Sequence, residues 1–385
     1  MAQTQKINSE KPLTTAINAW LENQPKYVNE LWDELVYLRN RPLKKSKYEK
    51  QVKLDRPVAV FSKEERLKEG MGKEITLIFK SSACSWARSK SGGCTMCGYW
   101  NDRAPETITE ENYWSQFTNA LSRYEELLGN PEEKIVFKMF TSGSFCDPKE
   151  IALDLQYRIL KKLATYPTIK EIVIESRPEY ITETLMTKYH EILPKQYLEI
   201  GVGLETTNNF VRTNIINKGF AWKAFVKAMD ILHKFHFGVK AYLLFKPPFL
   251  PEYAALVDIH HSIRQCVEYG IDTISVNPTN IQMHTICNEL EKINRFRSPW
   301  LYSLLWVLKH SLTNEDLKHT RIICDPSAAG KDRGVHNCQV FDKSNVECLQ
   351  ILHEFVVQQD VTCIPETFSG SCWNSYEMEL LLGNL

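Results

Sequence analysis

The chain has 385 residues, 43% hydrophobic and 24% charged, and its 47 basic and 47 acidic residues cancel. The composition is that of a globular protein, the length is enough for one large α/β domain with an appendage or for two domains, and the neutral total excludes a chain-wide nucleic-acid-type charge. No apolar run is long enough to span a bilayer, the first residues lack a signal-peptide core, and an odd number of cysteines (eleven) argues against a disulfide framework, so a cytoplasmic protein with reduced thiols and no membrane partner is expected.

Residues 1–70 read as a polar, helical N-terminal extension, with Ile17, Trp20, Leu21, Leu31, Leu35 and Leu38 at helical spacing. Within it, residues 39–56 hold eight lysines and arginines against two acids, a net charge of +6. That stretch is either a phosphate-contacting arm or a solvated helix face. From residue 72 short apolar, β-branched runs predict buried parallel strands at 75–79, 134–140, 171–176, 197–203, 238–245 and 272–278. Between them, Thr107 and Glu110 have the spacing of a capping box for a helix ending near Gly129, and further helices are expected over 148–163, 182–193, 209–236 and 253–269. Six strands with helical crossovers fit a Rossmann sheet or a partial (β/α)6 TIM-type barrel. Polar motifs at the strand C-termini favour the barrel, where such enzymes place their chemistry. The expected division is a barrel over 71–300 and a cysteine-containing C-terminal subdomain over 301–385, opened by a buried helix near 300–312.

The strongest motif follows the first of these strands: Cys84-Ser-Trp-Ala-Arg-Ser-Lys-Ser-Gly-Gly-Cys94-Thr-Met-Cys97-Gly-Tyr. Soft thiolates in a loop rich in Gly, Ser and Lys suit an iron–sulfur cluster or zinc. Gly92, Gly93 and Gly98 let the backbone fold closely around an inorganic core. Three ligands would leave one iron of a [4Fe–4S] cluster open to S-adenosylmethionine (SAM). Spacing alone leaves both metals open.

The loop resembles the long-spaced cluster motif of the Elongator catalytic subunit, and most of all the radical SAM family of archaeosine synthesis. The similarity continues through Thr141-Ser-Gly-Ser, Glu175-Ser-Arg-Pro-Glu, Gly201-Val-Gly-Leu-Glu, Lys246-Pro-Pro-Phe, Asn277-Pro-Thr-Asn and His336-Asn-Cys, so it covers roughly residues 70–375. It implies a radical SAM barrel whose cluster is held by Cys84, Cys94 and Cys97. It also implies a reaction on tRNA, cleavage of the lysine C–N bond of a lysine-modified 7-deazaguanine in the D-loop to give archaeosine. The implied partners are tRNA, the lysine-transferring archaeosine synthase subunit and an electron donor.

By the same resemblance, the turn Thr141, Ser142, Gly143 and Ser144 receives the SAM amino group, and Gly203 with Glu205 meets its ribose; an ordinary βα turn fits the first equally well. Glu175 and Arg177 suit the methionine end of SAM or form a surface salt bridge. At the mouth, Asn277 and Asn280 suit base or sugar contacts or cap a helix, and Lys246 suits a substrate anion or is merely exposed. The loop over 330–334 is a weak candidate phosphate clamp. In the tail, Cys324, His336, Cys338 and Cys372 form a candidate second metal set, for zinc, or pack as buried thiols. The family pattern places a further cysteine where this chain has Phe341. Cys266, Cys287 and Cys348 read as core residues. Two alternatives stand beside this reading: a radical SAM enzyme on another RNA or small molecule, and a zinc-dependent RNA-binding scaffold without catalysis.

Overall fold

The computed structural model describes Tyr37 and residues 53–382, apart from residues 105, 339–342 and 371. The expected helix near 13–38 (Tyr37 aside), most of the basic stretch and Phe341 lie outside the described residues.

One sheet of eight strands organises the chain in the order β1 to β8. It opens with β1 (Ala59–Leu67), which turns through Gly70 (φ +102°) into the antiparallel β2 (Gly70–Ile78). The helical reading of 1–70 is thus corrected over 59–67. The charged run Lys63, Glu64, Glu65, Arg66 looks helical, but pairing with β2 overrides that local preference. All six expected strands form: β2, β3 (Ile135–Phe140), β4 (Ile169–Glu175), β5 (Tyr197–Glu205), β6 (Gly238–Phe245) and β7 (Thr273–Pro278). They run parallel, and a three-residue β8 (Arg321–Ile323) extends them.

The helices are α1 (Glu110–Arg123), α2 (Glu125–Gly129), α3 (Leu153–Ala164), α4 (Glu183–Ile192), α5 (Trp222–Lys234), α6 (Glu252–Glu268), α7 (Ile286–Lys292), α8 (Leu301–Ser311), α9 (Lys343–Gln358) and α10 (Trp373–Leu382). None is long and apolar enough to cross a membrane. The capping box is formed by Thr109 and Asn112, not by Thr107 and Glu110. The helix expected over 209–236 is broken: a π-helical turn (Val211–Ile215) leads to Asn217 in the left-handed region, and α5 starts only at Trp222.

The strands' two faces differ. Ile135, Phe137 and Met139 of β3 face the helices in the main core, whereas the inward positions carry charge. Glu199 of β5 meets Lys240 of β6 at 2.8 Å and Arg321 of β8 at 3.1 Å, and Arg321 also reaches Glu171 of β4 at 3.1 Å. In a flat sheet β4 and β8 would stand about 19 Å apart, beyond the reach of an arginine, so the sheet is curled into a half-barrel. Arg321 also donates to the carbonyl of Arg66 at the end of β1. On the other flank Lys138 of β3 pairs with Glu74 (2.5 Å) and Glu65 (3.3 Å). These ions form a layer across the lower lumen. Beneath it opens a cleft of about 510 Å³ lined by Arg66, Tyr197, Asp272 and Arg321, at the strand N-termini.

Behind the C-terminal end of β5, Asp258 is buried and accepts from the Thr206 hydroxyl at 2.9 Å, while its other oxygen has no partner among the described residues. Burial pushes its carboxyl from 3.8 up to about 7, against the Thr206 hydroxyl and Arg212. A raised carboxyl stabilises the fold fully below its unfolded value and loses that contribution as pH rises through the folded one. Asp258→Asn should therefore gain relative to the parent chain between pH 4 and 8, by up to about 4 kcal/mol before the lost attraction to Arg212 is deducted. Urea unfolding of both proteins at several pH values tests this; a difference independent of pH would refute it.

Candidate active site

The cluster loop leaves β2 and crosses the C-terminal ends of the strands. Cys84 precedes a single helical turn (Ser85–Arg88), and Cys94 and Cys97 close a tight turn in which the Cys97 amide donates to the Cys94 carbonyl at 3.2 Å. All three thiols are half-buried. Burial raises the Cys84 and Cys94 thiols; Glu150 and Cys94 push Cys84 further up, and Cys97 does the same for Cys94. The three therefore share one electrostatic neighbourhood.

No three His, Cys, Asp or Glu side chains among the described residues converge tightly enough for a single metal ion. Tetrahedral zinc needs its donors about 2.3 Å from one point. An iron–sulfur cube takes one thiolate per iron and so spreads its ligands further apart. Cys94 acts on Cys84 and Cys97 on Cys94, and a set of three soft thiolates is one that an iron–sulfur cube accepts.

The SAM-side candidates gather beside this loop. The Phe145 amide donates to the Glu175 carbonyl (2.8 Å) and the Arg177 amide to the Ser144 hydroxyl (3.1 Å), which fastens the turn to the end of β4. Ser142 has φ +58°, and a Cβ on Gly143 would lie 1.9 Å from a Glu150 carboxylate oxygen. Thr141 is buried and donates nothing from its hydroxyl among the described residues.

Glu175 and Arg177 do not pair with each other, and neither forms a plain surface bridge. Glu175 points into the lumen, where burial raises its carboxyl to about 7 although the Tyr242 hydroxyl and Lys218 oppose the shift. Arg177 donates to the Lys218 carbonyl at 3.0 Å, pairs with Glu179 at 2.5 Å and lies 4.9 Å over the Trp86 ring. A Cβ on Gly203 would come within 2.4 Å of the Lys218 ammonium. That ammonium meets Glu205 at 2.6 Å. Burial works against the Lys218 charge, but Glu205 holds it above the usual lysine range. Lys218, Glu205 and Arg177 all act on Cys94.

The remaining candidates separate from this group. Lys246 is buried and ion-paired with Glu252 (2.7 Å) and Glu379 (3.4 Å), which ties β6 to α6 and α10, so it is neither exposed nor free for a substrate anion. Asn280 accepts from Arg333 at 2.9 Å. Asn277, half-buried on β7, donates to the Ser275 carbonyl at 2.9 Å. In the tail, the Cys338 amide donates to the Cys372 sulfur at 3.3 Å, while His336 is bound to the Gly334 carbonyl at 2.7 Å and Cys324 is buried at the end of β8. No group of three donors from that set is found among the described residues. Cys266, Cys287 and Cys348 are buried, as expected of core residues.

Four residues that touch this site were not legible as site residues. Glu150 accepts from the Ser85 amide (2.7 Å) and the Ser144 amide (2.7 Å), bridging the cluster loop and the turn. The Gln282 side chain accepts from the Gly98 amide. Asn217 and Lys218 stand in an Asn-Lys-Gly turn, a punctuation signal hidden inside a presumed helix.

No protein-family model matches the chain. It is 34% identical over 356 residues to an uncharacterized protein of Methanocaldococcus jannaschii, covering 91% of this chain and 94% of that one. It is 37% identical to archaeosine synthase subunit beta of Methanosarcina acetivorans, covering 72% of this chain and 78% of the relative. The chain belongs to the archaeosine synthase subunit beta family. A second member, from Thermococcus kodakarensis, is 35% identical over 74% of this chain and 85% of its own length. Among solved structures, Methanocaldococcus infernus Elp3 aligns at a TM-score of 0.44 with 16% identity, over 62% of this chain and 58% of that one. The radical SAM methyltransferase TsrM of Kitasatospora setae aligns at 0.36 with 10% identity, over 58% and 37%.

Proposed function

We propose that this subunit beta homologue is the radical SAM component of archaeosine formation, cleaving the lysine C–N bond of a lysine-modified 7-deazaguanine in the tRNA D-loop. The observation that carries this reading is the group of three thiols beside the Glu205–Lys218 pair and Arg177 at the strand C-termini. Cys84, Cys94 and Cys97 would hold a [4Fe–4S] cluster. When bound, cluster and SAM supply a 5′-deoxyadenosyl radical on one-electron reduction by an external donor.

The chain's own residues orient and enclose. The turn over 141–144, Glu175, Arg177, Gly203 and Glu205 would hold SAM, whose ammonium and carboxylate need opposite charges and whose ribose needs an acceptor. Asn277, on the lumen side of β7, remains a substrate candidate; Lys246 and Asn280 are already engaged. The ionic layer beneath closes the lower lumen, so a substrate must enter from the mouth and water is kept from below.

The test is anaerobic reconstitution followed by incubation with SAM, a reductant and tRNA already carrying the lysine adduct from the partner subunit. Four irons per chain, deoxyadenosine release and conversion of the adduct to the formamidine nucleoside are the expected results. Deoxyadenosine without conversion would remove the substrate assignment. Zinc in place of iron, with no deoxyadenosine, would remove the radical chemistry.

A further inference from the structure

Nine residues separate Cys84 from Cys94, and this insertion must fold back before the third and second thiols can stand near the first. A side chain from outside the loop grips its far limb. The Asn217 amide nitrogen donates to the Ser91 carbonyl and to the Gly93 carbonyl, each at 2.8 Å. The Asn217 carbonyl accepts from the Trp86 indole at 2.8 Å, so the residue grips both limbs of the insertion. It is buried, 4% exposed, and sits at φ +57°.

Those contacts specify asparagine. A primary amide offers two hydrogens in one plane, which matches two carbonyls, whereas a carboxylate offers none. Asparagine also tolerates the left-handed backbone better than other side-chain-bearing residues. The next residues fit the same purpose: a Cβ on Gly219 would lie 2.3 Å from the Trp86 ring, so only glycine lets the indole seat there. On the far side of the loop, Thr95 donates from its amide to the Ile216 carbonyl (3.0 Å) and from its hydroxyl to the Ile215 carbonyl (2.8 Å). The π-helical turn that breaks the expected helix is what presents these carbonyls.

We propose that Asn217 is the positioning residue of the cluster loop: its amide folds the insertion between Cys84 and Cys94 and so sets where Cys94 stands relative to Cys84. The proposal rests on the reading of this loop as an iron–sulfur site. Asn217 itself touches neither cofactor nor substrate in this scheme.

Asn217→Asp keeps the shape and the backbone preference but removes both donors and turns an anion towards two carbonyls. Asn217→Gly keeps the left-handed backbone and the acceptor for Trp86 and removes the amide alone. With the full-length chain reconstituted with iron and sulfide, both variants should release iron to a chelator about 10-fold faster than the parent chain or more, Asn217→Asp fastest. The EPR signal of the reduced cluster should change shape in both, while the thermal midpoint of the iron-free proteins stays within a few degrees of the parent. If Asn217→Asp does not fold, Asn217→Gly decides. Release at the parent rate with an unchanged signal overturns the proposal and leaves the functional reading standing. Faster release that only tracks a lowered midpoint of the iron-free protein also overturns it, because the amide then holds the fold rather than the loop. A parent chain that takes up no iron overturns the functional reading and this proposal with it.

Discussion

Cys84→Ala, Cys94→Ala and Cys97→Ala should each reduce bound iron and sulfide to background and abolish deoxyadenosine release. The effect is large because each thiolate serves a separate iron, so none can be replaced by its neighbours. The tail gives the control. Cys324→Ala, Cys338→Ala and Cys372→Ala should keep the parent iron content, since the proposed cluster takes its three thiolates from the loop after β2 alone. Iron and acid-labile sulfide per chain, measured after anaerobic reconstitution, check both halves. Full iron retention in any one of the first three variants would remove that cysteine from the ligand set; loss of iron in a tail variant would reinstate a second site. Cys84 and Cys94 are raised by burial in the iron-free chain, so reconstitution should run faster at alkaline pH, where more thiolate is available.

The six central strands were legible because each is a nearly continuous apolar run, the signature of strands covered on both faces. The cluster loop was legible because its cysteines lie within one short segment. What escaped was the second periodicity within those runs. Glu171, Val173 and Glu175 alternate along β4, as do Glu199, Gly201 and Gly203 along β5 and Lys240 and Tyr242 along β6. Each inward series places a charge at one level of the lumen, and only curling of the sheet brings those charges together. A half-barrel has a polar interior that a doubly wound sheet lacks, so this alternation was the available signal for choosing between the two. The edges were harder. β1 is charged enough to read as helix, and β8 has three residues, too short for any pattern. Glu150 and Gln282 lie in segments with no motif, and their roles depend on which backbone amides the fold carries past them.

Glu199→Gln should destabilise the fold by about 3–5 kcal/mol, because it leaves Lys240 and Arg321 buried with one carboxylate fewer between them. Glu199 is fully buried, and burial alone would raise its carboxyl; Lys240 and Arg321 outweigh it and hold the group at about 2, against an ordinary 4.5. A depressed carboxyl contributes stability above its unfolded value and loses it as pH falls through the folded one. The parent chain should therefore lose stability between about pH 4.5 and 2, and Glu199→Gln should lose less over that window. Lys240→Met alone should also destabilise, since burial already lowers the Lys240 ammonium and only Glu199 sustains its charge. The double variant Glu199→Gln/Lys240→Met removes the pair together, and Arg321 keeps Glu171. Its cost should fall below the sum of the single costs by at least about 1 kcal/mol, the mark of coupled partners. Guanidinium unfolding of the four proteins measures the cycle. Strict additivity would mean that solvent from the lower cleft already screens the layer, and the ions would then be lining that cleft rather than sealing the lumen above it.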